Sequence, residues 1–292
     1  MALVAVALLA ASCARERAPV YTPHENLLSV AAEFELLSAK DPYRDPPGEI
    51  LTGQDVSRAT LVRLANYASL HPGRFAPETA ALRARAIERL RDFQSARDAY
   101  LEAAAYETEI AEDCRARAAI LEKLLAARAT IEESPGLEET LLLLSDSATA
   151  LRRLASEADK PLYRSLALAE AEQAEVMRAE ILANNRWVLK DGEARALDAL
   201  AALTRDHAES HRALSHALRL ARFHRQLAEE EARVSPPGTL EFDRRYFVEN
   251  VDAALDLLHR VSQADGRPER LVATYELDTV LALREMVLEQ AD

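Results

Sequence analysis

The side chains with the spacing to do chemistry sit on stretches that also read as helix. His207 and His211 stand four apart with Asp206 beside them, the interval at which a helix turns two imidazoles toward one metal ion. In His207-Ala208-Glu209-Ser210-His211, however, Glu209 lies about 200° round a helix from His207, so it cannot serve a water held between the histidines. His207 and His211 read as solvated helix-surface residues, and His216 and His224 point elsewhere on the same predicted helix and add no third ligand. Glu170, Glu172, Glu175 and Glu180 form an acidic run, but a helix spreads such carboxylates where calcium needs them to converge, so they read as a solvated face. Cys114, beside Arg115 and Arg117, has no His or second Cys near it in sequence and reads as a small core residue. Neither a Gly-rich phosphate loop nor a nucleophile elbow is present. No catalytic residue, metal ligand or cofactor site is expected.

The few aromatic side chains are better suited to holding a partner. Trp187, the only tryptophan, and Tyr246 with Phe247 are the candidate contacts, with packing into the core as the competing reading. Nucleic acid is an unsuitable partner. The 292 residues carry a net charge of −13, and phosphates need a concentrated basic face that is nowhere evident.

The second cysteine belongs to a different kind of chemistry. Ala2 to Ala11 is an uninterrupted apolar run, shorter than the roughly 20 residues that cross a bilayer and of the length of a signal-peptide core. It ends in Leu8-Leu9-Ala10-Ala11-Ser12-Cys13, small residues leading into a cysteine, with Leu9 one place further from that cysteine than the usual large aliphatic residue. This ending resembles the lipobox of bacterial lipoproteins. The resemblance implies removal of residues 1–12 and lipidation of Cys13, and the polar stretch that follows, with Pro19, reads as a flexible tether over 13–21. Ala14 after the cysteine, rather than Asp, implies the periplasmic face of the outer membrane by the same resemblance. A buried N-terminal helix, or ordinary cleavage near Ser12, are the other readings of the run.

The elements that carry all of these residues are helices. Nearly half the chain is hydrophobic but only 5% is aromatic and seven residues are Gly, so the apolar content is mostly Ala and Leu, which favour helix. Thr22-Pro23-His24-Glu25 has the form of a capping box and opens a helix over 23–39. Pro42, Pro46 and Pro47 then break the chain, and a second helix over 53–70 stops at His71-Pro72-Gly73. Between Pro77 and Glu107, Ala80, Ala84 and Ile87 precede Asp92-Phe93-Gln94-Ser95-Ala96, Tyr100 and Ala103. The alternation of small residues with aromatics resembles a tetratricopeptide repeat (TPR), in which small residues let paired helices approach closely. The repeat's usual Trp and Gly in its first helix are absent.

Beyond this pair, expected spans are 108–133, 136–158, 161–189, 193–232, 239–264 and 267–290, the fourth with an unmarked break between Thr204 and Glu209. Strand alternation is considered only at Arg186-Trp187-Val188-Leu189. In the last span Thr274, Asp278, Glu285 and Glu289 fall on one stripe, with Leu271, Val272, Tyr275, Leu277, Val280, Leu281, Leu283, Met286 and Leu288 on its edges and most of the rest. That pattern predicts an interior helix with one wet strip, the alternative being that part of its apolar surface receives a partner helix.

The expected architecture is therefore all-α: helical hairpins forming a TPR-like solenoid over 22–133, continuing into a bundle of long helices over 134–292. With the anchor, it suggests a non-enzymatic scaffold or adaptor that holds another cell-envelope protein in a helical groove, in outline like the repeat lipoproteins of β-barrel assembly and the pilotins. A helical ligand-binding or hydrolytic domain, or a structural subunit of an envelope complex, are the rival expectations.

Overall fold

The structure, a computed structural model, describes residues 23–40, 54–128 and 136–291. The fold is all-α, with eleven helices and no strand among the described residues. Cys13, the lead into the body and the Thr22 cap lie outside them. The chain divides into two compact units, 1–125 and 126–292.

In the first unit α1 (Pro23–Lys40), α2 (Gln54–Leu70), α3 (Ala76–Arg89) and α4 (Phe93–Ala104) pack in chain order, followed by α5 (Ala111–Ala127). Leu27, Val30 and Phe34 of α1 meet Leu64 and Tyr67 of α2 and Leu82 and Ala86 of α3. The α3–α4 hairpin is set by a local device: the Asp92 carboxylate accepts a hydrogen bond from the Ser95 amide at 3.1 Å, capping α4. Ala80, Ala84, Ala96 and Ala103 are all buried, as are Phe93 and Tyr100. Tyr100 Oη donates to the buried carboxylate of Glu88 at 2.6 Å, which ties the two helices by a polar contact inside the core. On α5, Ala111, Cys114, Ala118, Leu121 and Leu124 are buried at intervals of three and four, and Cys114 is the small core residue expected. Burial pushes its thiol up from the usual value, with Asp113 adding to the effect.

The second unit contains α6 (Leu137–Glu157), α7 (Pro161–Asn184), α8 (Gly192–Asp206), α9 (Ala213–Val234), α10 (Arg244–Ser262) and α11 (Pro268–Ala291). Each packs on the next, and α9 also reaches α11. This is the neighbour-on-neighbour packing of helical solenoids and hairpin bundles. A core runs through it from Leu141 and Val176 to Val280 and Val287. Pro161 starts α7 and the Asp243 carboxylate caps α10 through the Tyr246 amide at 2.9 Å.

Two expectations about local structure give way here. α7 ends at Asn184, five residues early, and Arg186 to Leu189 is a turn rather than a strand or more helix. The cause is a close approach: a Cβ on Gly192, at the start of α8, would stand 2.2 Å from the Arg186 carbonyl oxygen, so only glycine lets the turn fold back there. The expected break inside 193–232 is present and complete, since α8 stops at Asp206 and α9 starts at Ala213.

Candidate functional site

The α8–α9 break is where the second unit concentrates its polar side chains. Glu172 of α7 accepts from His216 Nε2 of α9 at 2.6 Å and from the Ser210 hydroxyl of the break at 2.8 Å. Three residues along α7, Glu175 pairs with His207 Nε2 at 2.6 Å and with Arg152 of α6 at 2.6 Å. The His207 and His216 rings lie 5.7 Å apart. Arg212, also in the break, donates to the Gln173 side chain at 3.0 Å. One cluster thus fastens α6, α7, the break and α9.

Protonation states follow from the partners. Arg219 Nη1 lies 3.4 Å from His216 Nδ1, and a guanidinium can only donate, so that nitrogen is the acceptor. His216 is therefore neutral with its proton on Nε2, aimed at Glu172. Burial holds its pKa below the ordinary imidazole value, in agreement. Burial alone would raise Glu172, but the hydrogen bonds from His216 and Ser210 outweigh it and bring its pKa to about 2. The hydrogen bond to Glu175 raises His207 against the opposing pull of burial.

This geometry is not that of an activated nucleophile. In a hydrolytic triad the imidazole accepts the hydroxyl proton, whereas here Ser210 and His216 both donate to one carboxylate. The cluster positions helices. The structure also corrects two readings as solvated: of the acidic run Glu170 and Glu172 are buried and Glu175 is half-buried, and His207 is half-buried; His216 is fully enclosed. His207 meets His216 rather than His211, because the chain between them is not one helix. No group of three or more His, Cys, Asp or Glu able to hold a metal ion occurs among the described residues. In the sequence Glu172 and Glu175 are legible only as part of one acidic run, and nothing there joins them to His216 across the break.

Beside the cluster a cleft of about 230 Å³ opens between three consecutive helices. Ser145, Ala148, Thr149 and Arg152 of α6 form one wall, Ala199, Ala202, Leu203 and Asp206 of α8 the other, and Glu175 and Arg178 of α7 the floor.

The aromatic candidates separate. Trp187 is 70% exposed on the turn after α7, with the Arg186 guanidinium 4.4 Å from its ring centre. Tyr246 is half-buried and donates to Glu193 at 2.6 Å. Phe247 is fully buried in the core, so it cannot serve as a partner contact. The next residue in a helix points about 100° away, enough to turn one side chain out and its neighbour in.

The larger departure is α11. It is not interior: Ala273, Glu276, Val280 and Val287 are buried, while Leu271 and Tyr275 are each 76% exposed, Met286 52% and Val272 39%. Val272, Tyr275, Thr279, Ala282 and Met286 recur at three- and four-residue intervals and form one exposed seam. Asp278, Glu285 and Glu289 border it and are exposed as expected. At its start a shallow groove of about 710 Å³ runs past Arg267, Arg270, Leu271 and Tyr275.

No helix among the described residues is long and apolar enough to cross a membrane. No family model matches the chain, and no curated protein or solved structure matches it.

Proposed function

We propose that the protein is a non-enzymatic scaffold or adaptor, anchored by a lipid on Cys13 to the periplasmic face of a bacterial outer membrane, which binds another cell-envelope protein through its helical body. A TPR-like pair at 77–107 is part of that body. The observation that carries the reading is the exposed seam of α11, since large apolar side chains (Val272, Tyr275, Met286) recurring along the open side of a helix packed on only one side mark an interaction surface. Its heptad-like spacing suits an amphipathic helix laid alongside. The acidic border of Asp278, Glu285 and Glu289 favours a partner helix flanked by Lys or Arg, and disfavours a second copy of α11.

Cross-linking in membranes tests this with three forms of the chain: native, Cys13→Ala, and Tyr275→Glu with Met286→Glu. The native form is expected to fractionate with membranes and cross-link to one discrete protein. Cys13→Ala leaves the membrane. The double variant stays at the membrane with its helix content intact, because both positions are exposed, and loses the cross-link. If native and Cys13→Ala forms are both soluble and partnerless, the anchor and scaffold readings fall together. If the double variant keeps the cross-link, α11 is not the contact.

A further inference from the structure

The cleft between α6, α7 and α8 has one unmatched charge, that of Arg178, on its floor. Four ionisable side chains line it: Arg152 and Arg178, Glu175 and Asp206. Glu175 is matched twice, by Arg152 and by His207, each at 2.6 Å, and Asp206 accepts from Arg205 at 2.9 Å. Arg178 is half-buried and makes no ion pair or hydrogen bond among the described residues. A guanidinium in a partly enclosed site loses water on several sides, and its five donors in a planar fork match a carboxylate.

The surroundings narrow the ligand further. Ala148, Ala199, Ala202 and Leu203 give apolar walls, with Ser145 and Thr149 on the α6 side. The volume of about 230 Å³ is below the roughly 300–1,000 Å³ typical of sites that enclose a small molecule. It accommodates one side chain and a little backbone. Because the other three charges are matched, one negative charge completes the cleft, whereas a phosphate dianion would meet Glu175 and Asp206 with its second charge unpaired. The floor and one wall are held in place by the Glu172–His216 and Glu175–His207 contacts, so the site is formed before a ligand arrives.

From the unmatched Arg178 and the short apolar walls we infer that this cleft binds a carboxylate on a short aliphatic stem, as a peptide presents in an acidic side chain or at its free C-terminus. Arg178 clamps the carboxylate, and the alanine-lined walls take the stem. The site uses none of the residues of the α11 seam, so it stands whether or not a partner helix binds there.

Titration calorimetry on the full chain with three acetylated tripeptides decides it: Ala-Ala-Glu-amide, Ala-Ala-Ala with a free carboxylate, and Ala-Ala-Gln-amide. At least one of the first two is expected to bind, and the glutamine peptide about tenfold more weakly or not at all, the difference expected of a charge-assisted pair. Which of the first two binds better tells a side-chain carboxylate from a chain end. Arg178→Gln lowers the affinity of the bound peptide by about tenfold, and Ala202→Leu, which fills the wall and keeps Arg178, abolishes binding. Neither substitution removes an internal partner, so unchanged unfolding curves accompany both. Equal binding of the glutamine peptide, full affinity in Arg178→Gln, or no binding of any peptide up to about 10 mM overturns the assignment.

Discussion

Glu172 is the hub of the second unit's polar cluster, and its substitution by Gln isolates the charge from the shape. The carboxylate is buried, accepts from His216 and Ser210, and has a pKa of about 2 against an ordinary 4.5. At about 1.36 kcal/mol for each pKa unit, that difference is on the order of 3 kcal/mol of stability linked to ionisation. The sign follows from which state binds the proton first. The unfolded chain protonates Glu172 near 4.5 while the folded chain resists to about 2, so the contribution is full above 4.5 and lost as pH falls between these values. His216, whose pKa burial lowers with Arg219 and Arg212 adding to the effect, acts in the same direction from 6.5 downward. His207, with a raised pKa, acts oppositely: its contribution is full below 6.5 and lost as pH rises through its folded value. Glu172→Gln keeps an oxygen for the two donors but removes charge assistance from both bonds, at a cost of about 2 kcal/mol at neutral pH. Glu172→Ala strands a buried N–H and a hydroxyl, and should cost about 4 kcal/mol. Urea unfolding across pH, followed by circular dichroism and by the fluorescence of Trp187 as a probe of this unit, measures both quantities. The Gln variant should show a shallower acid-side slope between 4.5 and 2, with Glu230 and the other carboxylates held low by their partners supplying the remainder. If it unfolds at the wild-type urea concentration with the full wild-type slope, the carboxylate is not the hub.

Two further substitutions probe the turn that leads into α8. Gly192→Ala places a Cβ 2.2 Å from the Arg186 carbonyl oxygen and 2.7 Å from its Cα, both backbone atoms, so the turn must move; a loss of about 3 kcal/mol or more in urea unfolding is expected, and a change under about 0.5 would contradict the contact. Arg186 is buried against Glu230 and lies 5.5 Å from the Phe223 ring centre. Arg186→Ala should cost about 3–5 kcal/mol by leaving Glu230 without its guanidinium, and shift the Trp187 emission; an unshifted spectrum with native stability would show the pair to be dispensable.

The helix ends in this protein are decided by nearby residues. Asp92 and Asp243 cap, Pro161 starts, and Gly192 permits a close turn, and each acts within a few positions of itself. For that reason the all-α class, the α3–α4 hairpin and most boundaries were legible in the sequence. Even the unmarked break after Thr204 was visible as a span too long for one packed helix. What covers each face was not, because burial depends on elements far along the chain. Glu172 and Glu175 looked like a wet acidic strip until α9 and the break delivered His216, Ser210 and His207 to them. Phe247 and Tyr246 looked equivalent until the packing of α10 turned one into the core and the other toward Glu193. α11 looked interior by its abundance of apolar residues, yet its neighbours α9 and α10 cover only one side of it. Local hydrogen bonding and backbone sterics set where helices begin and end, whereas the desolvation of a carboxylate, the matching of a guanidinium and the exposure of an apolar seam are set only when distant helices take their places.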